Sequence, residues 1–230
     1  MLDIANTDFL IAVPSLSKAE FETYSSRLFD TWDNYIEQSL RVSDYSISLA
    51  IEDGSIKGQG KIAVAISALY FGIGNYGSFI SGIQMIREQV AYVSDKLVKS
   101  AASSFDENTQ TTYKNNGGVI SHLNRLFHKV QSGDMTAEEA MSEAERIIGD
   151  EANSSPEFMR KLNKAFQETP KYPTQITMFD ELGGAASGEG GKTKKRSPRT
   201  PKPDLPLNPF RVEIWRDSKR DKKHIKVSKL

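Results

Sequence analysis

From Ile62 to Ile86 the chain runs for twenty-five residues without a charge: IAVAISALYFGIGNYGSFISGIQMI. Any fold must take this stretch out of water, into a core or into a bilayer. A membrane-spanning helix needs about 20 apolar residues, so length alone permits a span. The contents favour a core. Asn75 sits at the middle, Gln84 lies near the end, and three serines and four glycines dilute the rest. Ile62, Val64 and Ile66 alternate with Ala63, Ala65 and Ser67, which is the period of a strand and not of a helix. The stretch reads as two buried elements, the end of a hairpin and the start of a long helix.

The flanks agree. Tyr45 to Ile51 alternates, with Ile47, Leu49 and Ile51 on one face, and Asp53-Gly54 is a hairpin-turn signal. The return strand runs from Ile56 to Ser67, where Gly58 and Gly60 mark a bulge or a close backbone approach. After Gly72, Gly74 and Gly77, a stripe of Phe79, Ile83, Ile86, Val90, Val93 and Leu97 predicts a helix to about Ala102. Upstream, Asp8 to Val13 reads as a short strand stopped by Pro14. Ser17-Lys18-Ala19-Glu20 is a capping box, and Phe21, Tyr24, Leu28, Trp32, Tyr35, Ile36 and Leu40 follow at helical spacing.

Ser103 to Gly118 is polar and loop-like. Three short helices come next. Val119, Leu123, Leu126, Phe127 and Val130 define the first; Thr136 caps the second; Ser155-Pro156 starts the third. The third has a basic side, Arg160, Lys161 and Lys164. That side resembles the reading helix of a helix-turn-helix DNA binder, but the inferred connections are longer than that motif's turn, and plain bundle packing is the favoured reading. Gly183 to Pro206 is rich in Gly, Ser, Pro and Lys and reads as a disordered linker. Arg211 to Arg216 and His224 to Val227 read as two strands around a charged turn. An isolated hairpin is marginal in water, so this one must dock on the body or on a partner, with Trp215 as its anchor.

The formal net charge is zero, but it is unevenly placed. Lys192 to Leu230 holds fourteen Lys/Arg against four Asp/Glu, and residues 1–191 hold sixteen against twenty-six. A basic tail on an acidic body meets polyanions, or docks on the body itself. The candidate nucleic-acid contacts are Lys192, Lys194, Lys195, Arg196, Arg199, Lys222 and Lys223.

Composition excludes several chemistries. Without cysteine there is no disulfide, thiolate metal site or cysteine nucleophile, which fits a reducing cytoplasm. His122 and His128 are six apart, about 240° round a helix, so they do not share a face. No serine sits in a GxSxG or SxxK setting. The GKT within Gly188 to Lys195 lacks the earlier glycine and the preceding strand of a phosphate loop. No catalytic constellation, metal site or cofactor is implied.

Gln175-Ile176-Thr177-Met178-Phe179 is the sharpest partner signal. It resembles the pentapeptide by which bacterial polymerases and repair factors hold the replication sliding clamp: Gln, an aliphatic, a small polar residue, Leu or Met, then Phe. The resemblance covers these five residues. It implies that the Gln175 amide hydrogen-bonds at one end of the clamp's cleft and that Met178 and Phe179 fill its hydrophobic pocket, with Ile176 in place of the commoner Leu. Pro173 keeps the entry extended, and glycines follow.

The expected fold is α+β and mostly helical. A β-hairpin packs against two long amphipathic helices within 1–118, a three-helix unit spans 119–170, and an extended motif segment spans 171–182. A disordered linker at 183–208 and a basic terminal hairpin at 209–230 complete it. The expected function is that of a cytoplasmic, non-enzymatic bacterial or phage-like adaptor that docks on the clamp and contacts DNA through its tail. Two alternatives stay open: a membrane-active protein that inserts residues 62–86, and a subunit of a larger protein complex.

Overall fold

The structure, a computed structural model, describes residues 1–74, 76–106, 109–172 and 209–230. It is a mixed α/β fold built on one six-stranded antiparallel sheet. In chain order the elements are β1 (Leu2–Ile11), α1 (Lys18–Ser39), β2 (Ser46–Glu52), β3 (Ile56–Val64), α2 (Ile66–Gly74) and α3 (Phe79–Ala102). Then come β4 (Thr111–Asn116), α4 (Gly118–Ser132), α5 (Ala137–Ile148), α6 (Pro156–Gln167), β5 (Phe210–Arg216) and β6 (His224–Lys229). The strand order is β4-β1-β3-β2-β5-β6.

The expected hairpin is the centre of this sheet. Gly54 and Ser55 both have positive φ, which turns β2 tightly into β3. Alternation then puts Ile47, Leu49 and Ile51 of β2, and Ile56, Ile62 and Val64 of β3, on one buried face. The two glycines of β3 are a close approach, not a bulge. A Cβ on Gly58 would run into the Phe9 ring of β1, and one on Gly60 would meet Leu97 and lie 3.0 Å from Trp32 Cη2. Their missing side chains make the space into which α1 and α3 press their largest residue, Trp32, and Leu97. The Trp32 indole N–H donates to the Val93 carbonyl at 3.1 Å, and the Tyr24 hydroxyl donates to the Ala101 carbonyl at 2.9 Å. Each ties α1 to α3 while satisfying a buried polar group.

Several expectations need correction. The uncharged stretch holds three elements, because α2 stands between β3 and α3. Its return strand ends at Val64, not Ser67, and α2 buries Ile66, Ala68, Leu69, Gly72 and Ile73 in the core. A Cβ at Gly82 would lie 2.5 Å from the Ile73 carbonyl, so α2 and α3 meet backbone to backbone as the glycine density suggests. Among the described residues no helix is long and apolar enough to cross a membrane. The first strand begins at Leu2, well before Asp8, and a register shift between Asp3 and Ala5 breaks its alternation. The polar 103–118 stretch contains β4, an edge strand held by backbone pairing to β1 with little burial of its own. The three short helices form as expected, with both bonds of the Thr136–Glu139 capping box made. Their Leu123, Phe127, Phe158, Leu162 and Phe166 belong to the same core cluster as the sheet.

The terminal hairpin is an integral part of the sheet. β5 pairs with β2, from Ile47 opposite Arg216 to Glu52 opposite Arg211. Its anchors are Val212 and Ile214, both buried; Trp215 points to the other face and is half-buried. The alternation of β5 decides this, since Trp215 falls out of phase with the core positions.

Gly58→Ala should cost about 2 kcal/mol, the usual penalty for overpacking a filled core. Adding Phe9→Leu should recover part of it. Urea denaturation of both variants measures the difference, and a neutral Gly58→Ala would show that the ring has room to move.

Candidate binding face

All helices that contact the sheet pack on its Phe9 and Ile47 side, so the opposite face is open among the described residues. Strand register fixes what that face displays. One cross-strand row runs Asn116, Asn6, Lys61, Ser48, Trp215, His224. The next runs Lys114, Asp8, Gln59, Ala50, Glu213, Lys226. Lys57 stands beside Leu10 and Glu52 in a third. Ser48 and Ala50 are short, so the middle is a shallow depression rimmed by Asp8, Lys57, Lys114 and Arg211.

The charges on this face differ in freedom. Arg211 is held by Glu52 and Glu213, and the Gln59 amide donates to Asp8 at 2.8 Å. Lys57, Lys61, Lys114 and Lys226 make no ion pair among the described residues. At one end the Trp215 and His224 rings stack, 5.4 Å apart and 23° from parallel. Point cations beside a flat aromatic pair can bind an anion or a planar group; no nucleophile with an adjacent base stands here. Only knowledge of the pairing reveals this face, since Lys57, Gln59 and Lys61 look in sequence like ordinary polar positions of an alternating strand.

The basic tail has two fates. Lys192, Lys194, Lys195, Arg196 and Arg199 lie outside the described residues, as do Gln175, Ile176, Met178 and Phe179. Within the hairpin, Lys223 is bound to the body, where its ammonium bridges Asp30 and Ser26 of α1. Lys219 pairs with Glu37, and Arg216 with Asp33. Asp30, Asp33 and Glu37 follow helical spacing, so one acidic side of α1 receives the hairpin. Lys222 is exposed at the turn and has no ion pair among the described residues. The basic side of α6 is also partly engaged: Lys161 lies 5.2 Å from the Tyr70 ring centroid and Lys164 pairs with Glu168.

The tightest part of this junction is Asp33–Tyr45–Arg216. Arg216 donates to Asp33 and to the Tyr45 hydroxyl, which itself donates to Asp33 at 3.1 Å. Burial pushes the Asp33 carboxyl above its ordinary value despite the Arg216 charge and the Tyr45 hydrogen bond. Burial raises the Tyr45 hydroxyl too, helped by the Asp33 charge. Asp44 behaves oppositely. Burial would raise it, but hydrogen bonds from the Lys219 N–H, the Ser218 hydroxyl and the Tyr45 N–H outweigh that and hold it low.

His122 and His128 stand on α4 and His224 on β6, and His122 accepts from Arg125 across 3.0 Å. Burial, then the Arg125 charge, lowers its pKa. Among the described residues no group of three His, Asp or Glu could hold a metal ion. No family model, curated protein or solved structure matches the chain.

The junction predicts a pH-dependent loss. Arg216→Ala leaves Asp33 half-buried without its counter-charge and should cost about 3 kcal/mol at pH 7. Asp33 already holds its proton to higher pH when folded than when unfolded, and more so without Arg216. The penalty is therefore absent at low pH, where Asp33 is neutral in both states, and grows as pH rises through the raised pKa. Thermal melts should show a wider gap between wild type and variant at pH 7 than at pH 4; a wider gap at pH 4 would refute this account.

Proposed function

We propose that this protein is an adaptor that docks on a bacterial sliding clamp through Gln175 to Phe179 and steadies itself on DNA with the basic residues of its tail. The observation that carries the reading is the pentapeptide itself, with Gln175 as polar latch and Met178 and Phe179 as pocket anchors. Its position in the chain supports it. Tyr172 is pinned to α4, its N–H donating to the Gln131 carbonyl at 2.8 Å and its hydroxyl bonding the Gln131 side chain at 3.0 Å. Gln175 follows three residues later, so a clamp holding it lies within about 10 Å of that pin. Docking would bring the α4–α6 bundle to the clamp as a rigid neighbour. A short peptide that orders on binding should have modest affinity, on the order of micromolar.

The test is polarisation binding of a labelled peptide spanning 171–184 to a purified bacterial sliding clamp, competed by the whole protein. The intact protein should compete and the Gln175→Ala, Phe179→Ala protein should not. A peptide that fails to bind at tens of micromolar ends the clamp reading. The DNA arm is tested by substitution, since deleting 209–230 would remove β5 and β6 from the sheet. Replacing Lys192, Lys194, Lys195, Arg196 and Arg199 with Ala should weaken retention on DNA. It should also flatten the slope of log affinity against log salt by about 0.9 for each lost phosphate contact.

A further inference from the structure

β6 is one of the sheet's two edge strands, unpaired on its outer side among the described residues, and its register says how that edge is built. The Leu230 N–H donates to the Pro209 carbonyl at 2.9 Å, so that pair is hydrogen-bonded. Bonded and non-bonded pairs alternate in an antiparallel ladder. Ser228, Lys226 and His224 therefore bond to β5, while Ile225, Val227 and Lys229 turn their N–H and C=O groups outward. The β2 side agrees, because the Asp53 N–H donates to the Phe210 carbonyl and assigns the even-numbered residues of β5 to β2.

The side chains on this edge are equally ordered. Ile225 and Val227 lie opposite Ile214 and Val212, on the helix-covered face, yet they are 50% and 36% exposed. The helical layer stops short of β6 and leaves a ledge of core-facing surface uncovered. On the opposite face stand Lys226 and His224; Lys222 lies at the turn before the strand, and Lys229 is its last residue, in phase with Ile225 and Val227. None of these three lysines has an ion-pair partner among the described residues. Glu213, which lies opposite Lys226, is occupied by Arg211, and Asp30 by Lys223.

We infer that the β6 edge binds an extended peptide of another protein, with apolar and acidic residues alternating, as a seventh strand of the sheet. Added strands draw affinity from main-chain bonds and specificity from alternate side chains. A strand paired here would lay its apolar residues beside Ile225 and Val227 and its carboxylates beside Lys226. A nucleic-acid backbone fits less well, since phosphates offer acceptors only and the outward carbonyls need donors. A second copy of β6 would bring Lys222, Lys226 and Lys229 against their own kind, and like charges facing across strands are unfavourable. Edge lysines also guard a lone sheet against self-pairing. The inference stands apart from the clamp reading, whose motif lies elsewhere.

The probe is a labelled, end-blocked peptide Glu-Val-Glu-Ile-Glu-Val-Glu, compared with its block-ordered isomer Glu-Glu-Glu-Glu-Val-Ile-Val and titrated into the full-length protein at low salt. The alternating peptide should bind at least about tenfold tighter than its isomer, because only it matches both faces of a strand. Amide exchange followed by NMR gives the residue-level readout. The Ile225, Val227 and Lys229 N–H groups should gain protection, whereas those of Lys226 and Ser228 are protected with or without peptide. Val227→Pro removes an outward donor without touching the β5 ladder and should abolish binding. Should that variant misfold, Lys222→Glu, Lys229→Glu offers a second test at two exposed positions, with an expected loss of about tenfold. Equal affinity for the two peptides, unchanged exchange at Ile225 and Val227, or binding that survives the substitutions would overturn the proposal. So would a concentration-dependent dimer that Val227→Pro abolishes, since the occupant would then be a second copy.

Discussion

The pairing of β5 with β2 is the contact on which the rest of the structure depends. It joins residues 47–52 to residues 211–216, across most of the chain, and carries Val212 and Ile214 into the core. Closing so long a loop is affordable, because the entropy cost rises only with the logarithm of its length. Without β5, strand β2 would become an edge and would expose its outward backbone groups along with part of the Ile47–Ile51 face. The acidic side of α1 would also lose its counter-charges. Asp30, Asp33 and Glu37 sit close together on one helix face, and their mutual repulsion is tolerable because Lys223, Arg216 and Lys219 meet them one for one.

The same pairing explains why only one side of the sheet is a core. The glycines of β3 let Trp32 and Leu97 approach the strand itself, so α1 and α3 lie close against the sheet and the hydrophobic layer is thin and dense. The bulge in β1 turns Ile4 inward as an extra buried residue beside Ala5, which brings α4 against that end of the sheet. Apolar side chains are thereby gathered on one face, and the polar half of each alternation is left for the other.

Much of this was legible in the sequence, and the limits follow from local physics. The two capping boxes, the Asp-Gly turn, the two long helical stripes and the three short helices are all set by residues within a few positions of one another, and all appear. β4 was not legible, because Thr-Thr-Tyr-Lys-Asn-Asn has no apolar period; it is a strand because β1 offers it backbone partners. The extra length of β1 was hidden by the bulge, which puts Ile4 and Ala5 side by side where alternation expects one of each kind. The short helix α2 was hidden by uniform apolarity, since Phe71 on its exposed side is as apolar as the buried Ile66, Leu69 and Ile73 and the sequence therefore shows no period. The hairpin's need for a partner was legible, but its anchor was not. Trp215 is the largest apolar residue there, yet phase, set by pairing with β2, decides which residues face inward. For the open face and the free edge of β6, the sequence holds the residue types, and only register says which of them stand together.

Register also changes what the tail's charge means. Counted along the chain, the hairpin is strongly basic and looks ready for any polyanion. In the fold, four of its cations are engaged: Arg211 by Glu52 and Glu213, and Arg216, Lys219 and Lys223 by α1. Those are poor sources of binding energy, because a polyanion would have to compete with a carboxylate already in contact. Arg220 and Lys222 at the turn and Lys226 and Lys229 of β6 remain, the last two on the same strand as Ile225 and Val227. A line of charge alternating with apolar side chains does not focus potential as a patch does, and its attraction is short-ranged at physiological salt. What it can discriminate is a ligand of the same period. The acidic body therefore does more than balance the tail: by taking up the cations that face α1, it leaves exposed those of the turn and those set along β6.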